Sequence, residues 1–267
     1  MKKMMTALAA VTLVLGAAAC TSEPDDTEAT ASSGIAGTWK ADPASAESVN
    51  DNRNFMLMGD QFTCNSCIPP YSTTANGEWQ KVDRPGTDEV MIEIVDDKTI
   101  KSSFRFEGRD LANSTWTVSE DGNSMMQSFV DLDGEETTEG NLTLTRVGDA
   151  PEGAHAVSGE WTLSEYGEIS EAALLFTYSL DGDTLTSSGN GEGWSAVIGG
   201  EPVAIEGSES GVMVQVEKTG DNNYRETYTR DGEVISVSDI AIDGNTMSAT
   251  STDPRDNSVF TFSASRQ

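Results

Sequence analysis

The chain repeats itself. Gly37-Thr38-Trp39 returns as Gly159-Glu160-Trp161, and Asp121-Gly122-Asn123-Ser124-Met125 returns as Asp243-Gly244-Asn245-Thr246-Met247, both 122 positions on. Between these anchors, Phe55–Asp60 matches Tyr178–Asp183, and Asn76-Gly77-Glu78 matches Gly199-Gly200-Glu201, at a spacing of 123. Met91-Ile92-Glu93-Ile94 matches Met213-Val214-Gln215-Val216, again at 122. Near-constant register over five anchors marks a duplication with a domain-sized period, so whatever one half folds into, the other should fold into as well. Residues 148–157, with their glycines, alanines and a proline, read as the joint between copies. The expected boundaries are a first domain over 35–147 and a second over 158–267.

Within each copy the pattern is that of strands. Val212-Met213-Val214-Gln215-Val216 and Val259-Phe260-Thr261-Phe262 alternate or nearly alternate, as half-buried strands do. Asp-Gly pairs at 121, 133, 181, 231 and 243 suit the positive-φ positions of tight hairpin turns. Only Pro43–Val49 and Glu168–Ala173 hint at a short helical or irregular turn. Closely spaced hairpins predict an antiparallel meander of roughly eight strands per copy, hence an all-β chain. Such a meander removes its exposed edges by closing into a barrel. Each copy opens on Gly-x-Trp and carries an arginine in its last strand, Arg146 and Arg266. First and last strands become neighbours only if the sheet closes. We therefore expect Arg146 to lie over Trp39 and Arg266 over Trp161, a cation–π contact worth about 0.5–2 kcal/mol each. An open β-sandwich with two unrelated arginines is the alternative.

These features resemble a group of uncharacterised exported bacterial lipoproteins with tandem lipocalin-like β domains. The likeness rests on the Gly37–Lys40 opening, the Cys64-Asn65-Ser66-Cys67 pair, the Asn76-Gly77-Glu78 turn, and Thr117–Asn123. In the second copy it runs from Pro151–His155 through Arg230–Val237 to the end, so it spans most of the chain after the leader. The resemblance implies two antiparallel meander barrels. By analogy of fold it also implies an interior able to hold a small apolar or amphipathic molecule. It assigns no catalytic residue and no cofactor.

The first residues have the layout of an export signal: Lys2 and Lys3, an apolar run from Met4 to Gly16, then Ala17-Ala18-Ala19-Cys20. The apolar stretch falls short of the roughly 20 residues of a membrane span. A cysteine behind small residues resembles the bacterial lipobox, with Ala17 in place of the usual leucine. This implies cleavage of a signal peptide over 1–19 and acylation of Cys20 by chains such as palmitate. An ordinary signal peptide with a coincidental cysteine is the alternative. Residues 20–34 have the composition of a disordered tether, about 20 Å end to end. Thr21, where inner-membrane retention would place aspartate, favours an outer-membrane lipoprotein facing the periplasm.

Charge narrows the partners. With 45 acidic and 16 basic residues the formal net charge is −29, a surface that repels nucleic-acid phosphates and anionic lipid headgroups. Membrane attachment is therefore expected through the N-terminal lipid, with a small apolar ligand as the other candidate partner. Solvated carboxylate faces are the plainer reading of that charge, and a cation-binding surface the sharper one. The oligomeric state is not addressed by any motif.

No catalytic constellation is expected, and neither a metal nor a cofactor. His155 is the only histidine and falls in the joint, away from any pocket partner. Asp131-Leu132-Asp133-Gly134-Glu135-Glu136 departs from the calcium-loop spacing and reads as a hairpin turn with acidic flanks. Cys64 and Cys67 admit three readings. A redox pair would want a helix N-terminus, a zinc site would want about four ligands, and a local disulfide would pin a loop in an oxidising compartment. The disulfide is favoured, since Ile68-Pro69-Pro70 reads as extended chain. At a spacing of 123 the second copy has Ser187 and Asn190, so a specialised mouth is expected in the first copy. Alternating apolar residues, among them Phe55, Leu57, Ile92, Ile94, Phe104, Phe106, Trp116 and Val118, are expected in the core. Trp79 and Trp194 are candidates for an exposed interaction patch. The leading expectation is a lipoprotein that binds or carries a small apolar or amphipathic ligand; the alternative is a non-enzymatic envelope module with filled cores.

Overall fold

The computed structural model describes residues 34–208 and 210–267. The signal peptide and Cys20 lie outside them, as does the tether up to residue 33. The first copy supplies β1 (Gly37–Val49), β2 (Asn52–Met58), β3 (Gln61–Cys64), β4 (Tyr71–Thr74) and β5 (Gln80–Arg84). It continues with β6 (Thr87–Asp96), β7 (Thr99–Phe106), β8 (Arg109–Val118), β9 (Ser124–Asp131) and β10 (Thr138–Val147). The second supplies β11 (Gly159–Ile169), a one-turn helix α1 (Glu171–Leu174), β12 (Leu175–Asp181), β13 (Thr184–Gly189) and β14 (Glu192–Val197). It ends with β15 (Val203–Ala204), β16 (Val212–Gly220), β17 (Asn223–Arg230), β18 (Glu233–Asp243), β19 (Thr246–Asp253) and β20 (Ser258–Arg266).

The protein is all-β, with two nearly closed, ten-stranded antiparallel sheets. Short turns join most successive strands, those at Asp121-Gly122, Asp181-Gly182, Asp231-Gly232 and Asp243-Gly244 among them. The extra strands over the expected eight are short ones such as β4 and β15. Each sheet curls until its ends meet. In one, Asn76 bridges to Glu93 and the Gly77 amide donates to the Ile92 carbonyl; in the other, Gly193 bridges to Glu206 and the Gly199 amide donates to the Val216 carbonyl.

The two barrels have exchanged their opening strands. One sheet runs β4-β3-β2-β11-β10-β9-β8-β7-β6-β5, and the other β14-β13-β12-β1-β20-β19-β18-β17-β16-β15. Strand β11 sits between β2 and β10, while β1 sits between β12 and β20. The expected division at the joint is therefore corrected: residues 52–169 form a complete barrel, nested within one made from β1 and residues 175–266. The chain passes between barrels at Asn50-Asp51 and again at Ser170–Leu174. Asn50 has φ 60°, and its side-chain amide donates to the Asn257 carbonyl at 3.1 Å. Glu168–Ala173 does contain the expected irregular turn. Pro43–Val49 lies within β1 and holds the expected irregularity, since the pairing with β20 slips between Asp42 and Glu47.

Two physical facts permit the exchange. Gly37-Thr38-Trp39 and Gly159-Glu160-Trp161 are near-equivalent, so either opening strand fits either slot. Moreover, β11 follows β10 after the short joint 148–158 and so reaches the slot beside β10 with little chain to close. The registers match in the two slots: Gly159 faces Phe55 and Gly37 faces Tyr178.

The expected arginine–tryptophan stacks exist with their partners crossed. Arg146 lies over Trp161, with its guanidinium carbon 4.0 Å from the ring centre, and Arg266 lies over Trp39 at 4.2 Å. The pairing of Arg146 with Trp39 and of Arg266 with Trp161 is thus corrected, for the reason just given. Both tryptophans are fully buried. Trp161 donates through Nε1 to the Val157 carbonyl and Trp39 to that of Ile35, each at 2.9 Å. Arg146 donates to the carbonyls of Gly122 (2.6 Å), Ser158 (2.7 Å) and Ala156 (2.6 Å). Arg266 donates to the carbonyls of Gly34 and Ala36. The opening glycine is required by this arrangement: a Cβ on Gly159 would stand 2.8 Å from Arg146 Nη1, at a φ of 114° that disfavours any other residue.

The joint is structural. Val157 has no exposed surface and plugs the first barrel as Ile35 plugs the second. The core otherwise follows the predicted alternation, except that Ile94, near the end of β6, is 38 % exposed, and Phe106, at the end of β7, is half-buried and joins neither core.

Candidate functional site

The two interiors differ although their strands correspond. Strand pairing equates β7 with β17 and β8 with β18: Ser102 faces Ser114 in one barrel, and Glu226 faces Ser238 in the other. In the first barrel the Ser102 and Ser114 hydroxyls are 2.7 Å apart, and Trp116 Nε1 donates to Ser114 at 2.6 Å. Phe55, Phe62 and Trp116 pack together there, the closest ring centres 4.7 Å apart. A wide, open concavity of about 840 Å³ on that barrel is lined mainly by serine, threonine, asparagine and glutamate side chains, with Phe129, Val130 and Ile169 the apolar members.

The second barrel holds a carboxyl group in its interior. Alternation along β17 turns Tyr224, Glu226 and Tyr228 inward, and Glu226 keeps 3 % of its surface exposed. Tyr178, from β12, donates its hydroxyl to Oε1 at 2.7 Å, and Tyr228 donates to Oε2 at 2.6 Å. The Trp194 indole approaches the Tyr228 hydroxyl from β14. Around these groups lies a cavity of about 280 Å³, bounded by Phe176, Ser187, Ser238, Ile240, Met247, Ala249, Ser251 and Phe262. Ser238 and Ser251 hydrogen-bond across it at 2.6 Å.

Burial drives the electrostatics. It raises the Glu226 carboxyl above its ordinary value of 4.5, against the opposing pull of the two tyrosine hydrogen bonds. Burial also pushes the Tyr178 and Tyr228 hydroxyls well above their ordinary value, with the nearby Glu226 charge adding to it. Both tyrosines therefore remain proton donors. A carboxyl whose proton is held more tightly in the folded chain adds stability that is complete below about pH 4.5 and is lost as pH rises through the folded value. Subtracting the thermal stability of Glu226→Gln from that of the native chain, pH by pH, should give a difference that declines above pH 4.5. A flat difference would refute the buried, tightly protonated carboxyl.

The other candidates are placed as follows. Cys64 and Cys67 are bonded, with their Cα atoms 5.4 Å apart; the bond closes the β3–β4 turn, and Cys64 packs in the first core. The position opposite Phe55 in that barrel is Cys64, and opposite Tyr178 in the other it is Ser187, as the repeat predicts. Reduction should cost the first barrel about 2 kcal/mol, the chain-entropy value for so short a loop, and leave the second unchanged. Thermal unfolding with and without reductant, read separately through Trp116 and Trp194, checks this. The disulfide pins a turn in the first barrel, which also carries the wide concavity, while the carboxyl-bearing cavity lies in the second.

His155 serves the joint. Its Nδ1 accepts from the Val157 amide at 3.3 Å, leaving Nε2 to donate to the Asp96 carbonyl at 2.6 Å. Trp194 is 6 % exposed and belongs to the second core, and Trp79 is covered by the Arg105 guanidinium at 3.9 Å. Neither tryptophan forms the exposed patch anticipated for an interaction module. Glu226 and its tyrosines were missed among so many carboxylates, although the spacing of Tyr224, Glu226 and Tyr228 places an acid on a buried face and is visible in the sequence. Comparison with protein-family models, with curated proteins and with solved structures yields no match.

Proposed function

We propose that this chain is a lipid-anchored protein of the bacterial envelope that binds and carries a small amphipathic molecule inside its second barrel. The observation that carries the reading is the 280 Å³ cavity in which one carboxyl and two tyrosine hydroxyls converge among aromatic and aliphatic walls. A largely apolar concavity with a few directed polar groups is the usual form of a small-molecule site. Export is supported by the leader and by the Cys64–Cys67 bond, which suits an oxidising compartment. Anchoring is supported by Cys20 behind its three alanines, and the outer membrane by Thr21.

Native mass spectrometry of the folded part, purified from its own host, tests the carrier reading. A reproducible bound small molecule that is lost when Ala249→Trp fills the cavity is expected. A consistently empty protein would favour the alternative, a non-enzymatic envelope module, which the close packing of Phe55, Phe62 and Trp116 in the first core supports. The anchor is tested by the mass of the N-terminal tryptic peptide: acylated Cys20 is expected, and an unmodified peptide beginning elsewhere overturns it.

A further inference from the structure

Glu226 is not required to fill its position, since the matching place in the first barrel is occupied by Ser102. Burying a carboxylate is costly unless an opposite charge meets it. Here both oxygens are met only by neutral tyrosine hydroxyls. Among the described residues no lysine, arginine or histidine forms an ion pair with Glu226; Arg225, its neighbour on the strand, points to the other face and pairs with Asp239 at 2.8 Å. The barrel thus holds a buried acid that, once ionised beside a bound cation, has no cation among the described residues to neutralise it.

The walls share that preference. Phe176 meets Tyr178 edge-on with centres 6.0 Å apart, and Tyr178 meets Trp194 at 6.2 Å. Phe176, Tyr178 and Phe262 give the cavity an aromatic side, with Trp194 packed against Tyr178, and aromatic faces attract organic cations. The approach is acidic as well. Phe176 and Ser187 also border an open groove of about 570 Å³, whose charged lining residues are Glu135, Glu192 and Glu206, with no basic side chain among them. An acidic, concave approach concentrates cations and repels anions.

Resting on the carrier reading above, we propose that the second barrel selects a small organic ammonium with an apolar or aromatic body, its charged nitrogen seated at the Glu226 carboxylate and its body against the Phe176, Tyr178 and Phe262 rings. At roughly 30 Å³ for a water-sized group, the 280 Å³ cavity accommodates a body of about nine non-hydrogen atoms.

The test uses the folded chain and three probes of one shape and three charges: 2-phenylethylamine, 2-phenylethanol and phenylacetate, titrated at pH 7 by calorimetry and by Trp194 fluorescence. The amine should bind at least tenfold more tightly than the alcohol, and phenylacetate should not bind. Glu226→Gln should bring the amine down to the affinity of the alcohol. Equal binding of amine and alcohol by the native chain overturns the ammonium assignment while leaving a carrier of neutral molecules standing. Binding of none of the three also overturns it, and the native mass measurement then decides the carrier reading separately. The comparison of probes on the native chain holds even if Glu226→Gln fails to fold.

Discussion

Cut out of the chain, residues 50–170 should fold into a closed barrel, whereas residues 171–267 should not, until a peptide spanning 34–49 is supplied. The nested topology requires this outcome. The first fragment contains β2 through β11 and therefore both strands flanking its seam, together with Val157, Trp161 and Arg146. The second has β12 and β20 but lacks the strand between them. It loses Trp39 and Ile35 from its core, each worth roughly 1.5–3 kcal/mol of burial, and it leaves two strand edges unpaired, an invitation to aggregate. That loss is comparable to the whole stability of a small domain, about 5–15 kcal/mol. The 34–49 peptide would restore the sheet by strand addition. Dispersion of amide NMR signals for each fragment, and calorimetric titration of the peptide into 171–267, provide the readout. Independent cooperative folding of 171–267 would contradict the exchange, as would a fragment spanning 35–147 that closes on its own strands with no need of β11.

The second large effect is expected at the stacks. Trp161→Ala should cost about 3–5 kcal/mol, the usual loss for a fully buried indole. Arg146→Met should cost several kcal/mol too, because it strands the carbonyls of Gly122, Ala156 and Ser158, at about 1–3 kcal/mol for each buried group left unpaired. The diagnostic quantity is the coupling between sites. Arg146→Met combined with Trp161→Phe should be non-additive by about 0.5–2 kcal/mol. Arg146→Met combined with Trp39→Phe should be additive, since those residues serve different barrels. Denaturant unfolding of the three single and two double variants, beside the native chain, measures both couplings. Additivity in the first pair with coupling in the second would mean that each copy closes on itself.

Much of this architecture was legible from local signals. The strand alternation, the Asp-Gly turns and the repeat set the fold class, and the Gly-x-Trp with its terminal arginine revealed that each sheet closes. What the pattern leaves undetermined is which copy closes which. Trp39 and Trp161 carry the same residue-level instruction, and the exchange shows only in the chain path, at the two short crossings at Asn50-Asp51 and Ser170–Leu174. The functional cavity was hidden for a different reason. Glu226 is one of 45 acidic residues, and only its place between Tyr224 and Tyr228 on an alternating strand distinguishes it from a solvated carboxylate. The Cys64–Cys67 bond, by contrast, followed directly from spacing and the prolines behind it, yet it marks a structural turn.

The nested arrangement also sets a timetable. As the polypeptide emerges, the first barrel has everything it needs once Ile169 is out, whereas β1, among the earliest segments to appear, finds its partners only when Leu175–Asp181 and finally Ser258–Arg266 arrive. During that interval Trp39 and Ile35 are homeless apolar groups. The vacant slot between β2 and β10 is the nearest shelter, and its register suits β1 as well as it suits β11. Maturation is thus a race between an early, wrong lodger and a late, correct one, and a nascent chain held extended until its end is made would favour the latter.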